Sequence, residues 1–349
     1  MQKKHLIYLP FSLCIFTQCS TRAQQPLQPA VVTDTVNFDT DDPAIWINTA
    51  DPAKSLVIGT DKDSNGGLYL FDLNGKIVAK TPVLKRSNNV DIAYGLLTGE
   101  NSTDIAVATE RETNSIRVFS LPGLKEMDNG GIPVFADEAE RAPMGIALYT
   151  RPSDKKIFAI VGRKSGPADG YLFQYELLGS EKGIVTARLV RKFGKYSGLK
   201  EIESIAVDNE SGFVYYSDEG FAVHKYYADP EKGNAELATF GKGDFKADLE
   251  GISIYKTGPK TGYILVSDQQ AHAFNVYPRE GDKGDPNRHT LIARIPVAAT
   301  ESDGSDVTNV NLGPKFPKGL FAAMSDDKTF HFYDWRQLEA RIMAAKAKK

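Results

Sequence analysis

Two cysteines and five histidines are all that this chain of 349 residues offers for thiol or imidazole chemistry. Both cysteines, Cys14 and Cys19, lie close to the N-terminus, so the rest of the chain carries no disulfide and no thiol nucleophile. His5, His224, His272, His289 and His331 stand singly in the sequence, as surface or edge-strand residues do, and zinc wants clustered His or Cys. The sequence has no Gly-x-Ser-x-Gly elbow, no His-Glu-x-x-His pair, no P-loop and no Arg-His-Gly triplet, which removes several familiar hydrolases and phosphatases. No basic block appears and the net charge is −3, so a nucleic-acid partner is not expected. The apolar stretch from Leu6 to Phe16 is too short to span a membrane. Preceded by Lys3 and Lys4 and followed by Thr21-Arg22-Ala23, it makes residues 1–23 an export signal and places the mature chain in the periplasm or outside the cell. Lipidation at Cys19 is the rival, although Phe16-Thr17-Gln18 lacks the small residues such a site prefers.

What the chain does have is repetition. Six similar segments recur about every fifty residues, a period that signals an array of equivalent units. They are Asp41-Asp42-Pro43-Ala44-Ile45-Trp46, Asn88-Asn89-Val90-Asp91-Ile92, Pro143-Met144-Gly145-Ile146-Ala147-Leu148, Glu201-Ile202-Glu203-Ser204-Ile205-Ala206, Asp248-Leu249-Glu250-Gly251-Ile252-Ser253 and Ser302-Asp303-Gly304-Ser305-Asp306-Val307. Each leads into a second apolar run, such as Leu56-Val57-Ile58-Gly59-Thr60, and then into alternating aromatic strands such as Gly67-Leu68-Tyr69-Leu70-Phe71. Short β-branched and aromatic runs between Gly, Pro, Asn and Asp clusters read as strands, and four per unit make an antiparallel sheet. Six such sheets set radially give an all-β, six-bladed β-propeller of four-stranded antiparallel blades, forming one domain over residues 24–349. The extended stretch from Ala30 to Phe38 has no blade of its own, so it is expected to complete the last blade and close the ring. Leu338, Ile342 and Met343 at helical spacing predict a terminal helix from Trp335 to Ala345 on the outside.

With thiol and imidazole chemistry thin, oxygen ligands remain. In a propeller the innermost strands line a central channel, so acids at their starts gather at one mouth. These are Asp41, Asp42, Asp91, Glu203, Glu250 and either Asp303 or Asp306; only the third segment lacks a carboxylate. Like charges packed together raise one another's pKa unless a cation neutralises them, and hard carboxylates with backbone carbonyls are what Ca²⁺ selects. A second ring follows at the ends of the next strands: Asp61-Lys62, Glu110-Arg111, Arg163-Lys164, Asp218-Glu219 and Asp268. Lys62, Arg111, Arg163 and Lys164 fall on three consecutive blades and make one side of the mouth basic, which suits an oxygen-rich polyanion such as a phosphate ester.

The stretch Asp39-Thr40-Asp41-Asp42-Pro43-Ala44-Ile45-Trp46, with Asn88-Asn89-Val90-Asp91, Asp248-Leu249-Glu250-Gly251 and Leu312-Gly313-Pro314, closely resembles the β-propeller phytases. The resemblance runs from about residue 30 to the end. It implies a monomeric phosphoric monoester hydrolase of the 3-phytase type, acting on phytate with several Ca²⁺ ions by direct attack of water at the mouth. It also implies Asp41, Asp42, the Val90 carbonyl, Glu203, Glu219 and Glu250 as metal ligands, with Asp303 or Asp306 joining them. Lys62, Arg111 and Lys164 would contact phosphate, and Glu203, Glu219 and Asp42 would carry the catalysis. The chain departs from the family at Asp63, where a second lysine is common, at Met144, where a tyrosine contacts phosphate, in the shortened loop Glu301–Asp306, and at Met324-Ser325-Asp326-Asp327. Two rivals share the scaffold: a calcium-dependent lactonase-type hydrolase and a propeller that only binds a ligand.

Overall fold

The computed structural model describes residues 24–348; the expected export signal over residues 1–23 and the rival lipidation site at Cys19 lie outside them. Short, largely apolar strands, many buried along their whole length, form six antiparallel sheets, each a blade. Their innermost strands begin, in chain order, with Thr40–Trp46, Ser87–Thr98, Pro143–Thr150, Ile205–Asp208, Leu249–Lys256 and Ser305–Val307. Five blades have four strands; the outer edge of the second is made of two short pieces, Lys125–Glu126 and Ile132–Pro133. The outermost strand of the sixth blade is Val31–Val32, paired with His331 and Phe332, so only two residues of the N-terminal stretch enter a ladder. Among the described residues no helix is long and apolar enough to cross a membrane.

The core is distributed between blades. Val107 and Val118 of blade 2 pack with Ile146, Leu148 and Phe173 of blade 3, and Phe274 and Val276 of blade 5 pack with Phe321 and Tyr333 of blade 6. This is how a repeat fold buries apolar area without one deep centre. The helix Trp335–Lys346 starts at its N-cap Asp334, whose carboxylate accepts from Arg336 N at 3.0 Å. It buries Trp335, Leu338 and Ile342, with the indole stacked on Tyr255 at 3.5 Å between ring centroids. Met343, expected on that face, is exposed.

Candidate functional site

A break in the strand ladders builds the site. In blades 1, 2, 3 and 5 the pairing between inner and second strands slips at equivalent points, leaving out Asp41-Asp42, Asn88-Asn89, Met144-Gly145 and Glu250-Gly251. A β-bulge re-aims the side chains it carries. In blades 4 and 6 the ladder starts only at Ile205 and Ser305, which leaves Glu203 and Asp303 just ahead of it. The bulge in blade 3 has Met144 where blade 5 has Glu250, and its second residue must be glycine: a Cβ on Gly145 would lie 1.9 Å from the Glu203 carbonyl oxygen. Gly304 is similarly confined, since a Cβ there would meet Asp42 Oδ1 at 2.3 Å. Only glycine permits these approaches.

The acids sort into two layers. At the mouth, Lys62 Nζ lies 2.7 Å from Asp41 Oδ1 and 2.6 Å from Asp303 Oδ2. Asn88 Nδ2 donates to Asp41 Oδ2 at 2.8 Å and to Glu203 Oε1 at 2.7 Å, while its own carbonyl oxygen accepts from Arg111 Nη1 at 3.0 Å. Gln269 Nε2 donates to Asp303 Oδ1 at 2.5 Å. Glu203, Glu219 and Glu250 complete this layer, each offering a carboxylate oxygen within 4.8 Å of the others. Lys164 stands on the rim, paired with Glu201 at 3.0 Å. Lys200 is paired with Asp248. The side chain of Arg86 makes no hydrogen bond or ion pair among the described residues, and its positive charge next to Arg111 helps lower the arginine's proton affinity, behind burial.

Asp42, Asp91 and Asp306 lie elsewhere, lining a channel cavity of about 190 Å³ together with Val90, Ser204 and Ser253. Each accepts a backbone N–H from the inner strand of the next blade: Asp42 from Val90 at 3.2 Å, Asp91 from Leu148 at 2.6 Å, and Asp306 from Ile45 at 2.8 Å. Ser204 Oγ does the same for Ile252 N at 2.9 Å. The structure therefore brings Asp303 into the mouth layer and puts Asp306 into the channel, where it staples blade 6 to blade 1. Replacing Asp306 with alanine strands the Ile45 and Val307 amides and should cost about 1–3 kcal/mol in denaturant unfolding, the usual penalty for orphaned buried donors. A loss below about 0.5 kcal/mol would remove the stapling role.

The second ring is corrected by the structure. The last residue of the second strand ties down the loop that enters its own blade: Asp61 accepts from Asp39 N at 2.8 Å, Glu110 from Lys85 N at 2.7 Å, Asp218 from Ser197 N at 2.7 Å and Asp268 from Lys246 N at 2.9 Å. Arg163 occupies the same place with reversed polarity. It is buried under the Phe135 and Phe173 rings and donates to Glu138 and to the Glu140 carbonyl, so it does not reach the mouth. The residue after each anchor is the one at the site, as Lys62, Arg111, Lys164, Glu219 and Gln269 show. Asp63 is engaged in a turn, accepting from Asn65 N at 2.8 Å, and Met144 is buried. Of the site residues, Asn88, Arg86, Lys200 and Gln269 received no role from sequence; the doubled Asn88-Asn89 at a bulge position was the available signal.

Crowding and burial leave these acids short of compensation. Burial, then repulsion from Glu203 and Glu201, pushes Glu219 up to about 9; burial and repulsion from Asp303 push Glu203 to about 7, and Glu250 is driven well above the carboxylate range by burial and by Glu203. Asp41 rises for the same first reason although Lys62 opposes it, and the Lys62 ammonium is held strongly in its charged form by Asp41 and Asp303 against its burial. Glu219 Oε1 and Glu250 Oε2 are buried without a hydrogen-bond partner. Unpaired buried carboxylate oxygens are costly, and three converging carboxylates suit a hard divalent cation. The residues present fit such an ion.

Comparison with known proteins bears on what this site acts upon. The family described as Phytase matches residues 6–332. A 3-phytase of Bacillus subtilis (strain 168) is 31% identical over 324 residues, covering 86% of this chain and 81% of that protein. A solved structure of a protein of unknown function from Bacteroides thetaiotaomicron is similar in fold, with a TM-score of 0.53 at 10% identity over 86% of this chain and 70% of that one.

Proposed function

The chain belongs to the phytase family and is a phosphoric monoester hydrolase, and from that premise we propose that it hydrolyses phytate at the propeller mouth with Ca²⁺ held by its acids. The observation that carries the metal part is the trio Glu203, Glu219 and Glu250, whose oxygens converge while two of them lack any partner. Glu203, Glu219, Glu250, Asp41 and Asp303 would hold cations at the mouth, and Asp42 with Val90 would offer oxygens one layer down. Bound Ca²⁺ would neutralise these carboxylates and supply Lewis-acid polarisation to phosphate oxygens and to the attacking water.

The chain's own groups do the rest. Lys62, Arg111 and Lys164 lie on three consecutive blades along one side of the mouth, where they bind and orient the phosphates of a polyanion and offset the charge that spreads over the equatorial oxygens. Lys62 is fixed by Asp41 and Asp303, and Arg111 by Asn88, so both are set before substrate arrives. Glu203 is the partly exposed member of the trio, placed to take the proton of the attacking water, whereas Glu219 and Glu250 are buried behind it. Water oxygen joins phosphorus, the bond to the inositol oxygen breaks, and that oxygen leaves as a hydroxyl after protonation from solvent. Among the described residues no cysteine or histidine belongs to the mouth layer, which favours direct attack over a thiol or imidazole phosphoenzyme.

Phosphate-release kinetics test the division of labour. Arg111→Ala should raise KM for phytate about tenfold or more, because it removes a group that binds phosphate, while leaving the Ca²⁺-induced gain in melting temperature close to wild type. If that gain vanished in Arg111→Ala, the separation of a phosphate side from a metal side would be wrong.

A further inference from the structure

We propose that His224 is a positioning residue for the cation site, acting through Asp218 to hold the segment Ser217–Glu219 in place; this rests on the cation reading of the acidic trio. Far from being an edge-strand histidine in water, His224 is buried, and its ring stacks on Tyr216 at 4.6 Å between centroids with 12° between the planes. Nε2 lies 3.2 Å from Asp218 Oδ2 and Nδ1 lies 2.5 Å from Glu236 Oε1.

Asp218 is a hub. Besides His224 it accepts from Ser197 N and Ser197 Oγ, both at 2.7 Å, which fixes the loop that carries Lys200, Glu201 and Glu203 to the mouth. Its neighbours on either side reach the same place. Ser217 Oγ donates to the Glu250 carbonyl at 2.6 Å, Ser217 N to the Ser204 carbonyl at 3.0 Å, and Glu219 N to the Glu201 carbonyl at 3.1 Å. One three-residue segment thus touches the backbones bearing or flanking Glu203 and Glu250 and itself supplies Glu219. Of the strand-end anchors, only Asp218 directly precedes an acid of the trio, and His224 is what backs it from the blade side. Partners that orient metal ligands from behind commonly change metal affinity about 10–100-fold when lost.

Calorimetric titration of the full chain with Ca²⁺ tests this, comparing wild type, His224→Phe and Glu236→Gln at a temperature where each shows the wild-type circular dichroism spectrum. His224→Phe keeps the ring stack and loses both ring-nitrogen contacts, so Ca²⁺ affinity should fall about tenfold or more, and the Ca²⁺ concentration giving half-maximal phytate hydrolysis should rise by a similar factor. Glu236→Gln, at the partly exposed end of the chain of contacts, should weaken affinity by roughly two- to threefold, since a neutral amide still accepts from the ring. A lowered melting temperature with unchanged Ca²⁺ affinity in His224→Phe would overturn the proposal, leaving His224 as packing only. Should His224→Phe fail to fold, unchanged affinity in Glu236→Gln overturns it instead. Absence of Ca²⁺ binding in wild type would be a different result, sinking the cation reading itself and this inference with it.

Discussion

Glu203→Gln is expected to lower phytate turnover by at least about a hundredfold, equivalent to roughly 2.7 kcal/mol of barrier. The substitution keeps the acceptor that Asn88 uses and the shape of the side chain, so the fold and the Asn88–Arg111 contact should survive. It removes the charge of the one partly exposed carboxylate in the trio, which we propose both as a cation ligand and as the group that takes a proton from water. A variant that kept more than about a tenth of wild-type kcat with an unchanged Ca²⁺ requirement would show that the chemistry lies elsewhere. Asp42→Ala, by contrast, acts in the channel layer and should combine a smaller loss of activity with a loss of stability, because it also strands the Val90 amide that Asp42 accepts.

The second large effect is on stability and depends on pH. Glu203 and Glu219 stand at about 7 and about 9 in the cation-free fold against an ordinary value of 4.5, so the folded state binds more protons than the unfolded chain between those limits. Their contribution to stability is fully present below about pH 4.5 and is lost as pH rises through about 7 and then about 9. Calcium-free protein should therefore melt at progressively lower temperature over that window. Saturating Ca²⁺ replaces the missing protons, and at a hundredfold excess over Kd a ligand specific for the native state adds about 2.7 kcal/mol. Carboxylates held low by ion pairs, such as Asp208 beside Arg279, pull in the opposite direction but equally with and without the ion, so they cancel in the difference. The gap between the Ca²⁺ and chelator melting curves should widen from pH 5 to pH 9; a gap that stayed constant or narrowed would exclude the trio as the binding site.

The six-fold period, strand content and terminal helix were legible in the sequence because each blade repeats the same local chemistry, and local patterns need no knowledge of what packs against what. The acids at the inner strands were legible for the same reason. Their division was not. Asp41 and Asp42 are adjacent in sequence yet belong to different layers, since the bulge turns one toward Lys62 and the other toward the amide of the next blade. Asp303 and Asp306 part in the same way, one ahead of the ladder and one within it. In the second ring Asp61, Glu110, Asp218 and Asp268 recur because they anchor the entry loops of their blades, and the residues that follow them, Lys62, Arg111, Glu219 and Gln269, are the ones that face the mouth, whereas Arg163 does not reach it. Arg163 shows why charge alone does not decide, for its aromatic roof and its bond to the Glu140 carbonyl come from segments other than its own strand.

Release of inorganic phosphate from phytate by the wild-type chain, followed in millimolar Ca²⁺ and again after chelation, tests the central claim most directly. Hydrolysis that needs Ca²⁺, stops on chelation and returns when Ca²⁺ is restored is the result expected of three converging carboxylates, two with an unpartnered oxygen, at a basic-sided mouth. Phosphate release that continued undiminished in excess chelator, or no release from phytate in Ca²⁺ by folded protein, would contradict it.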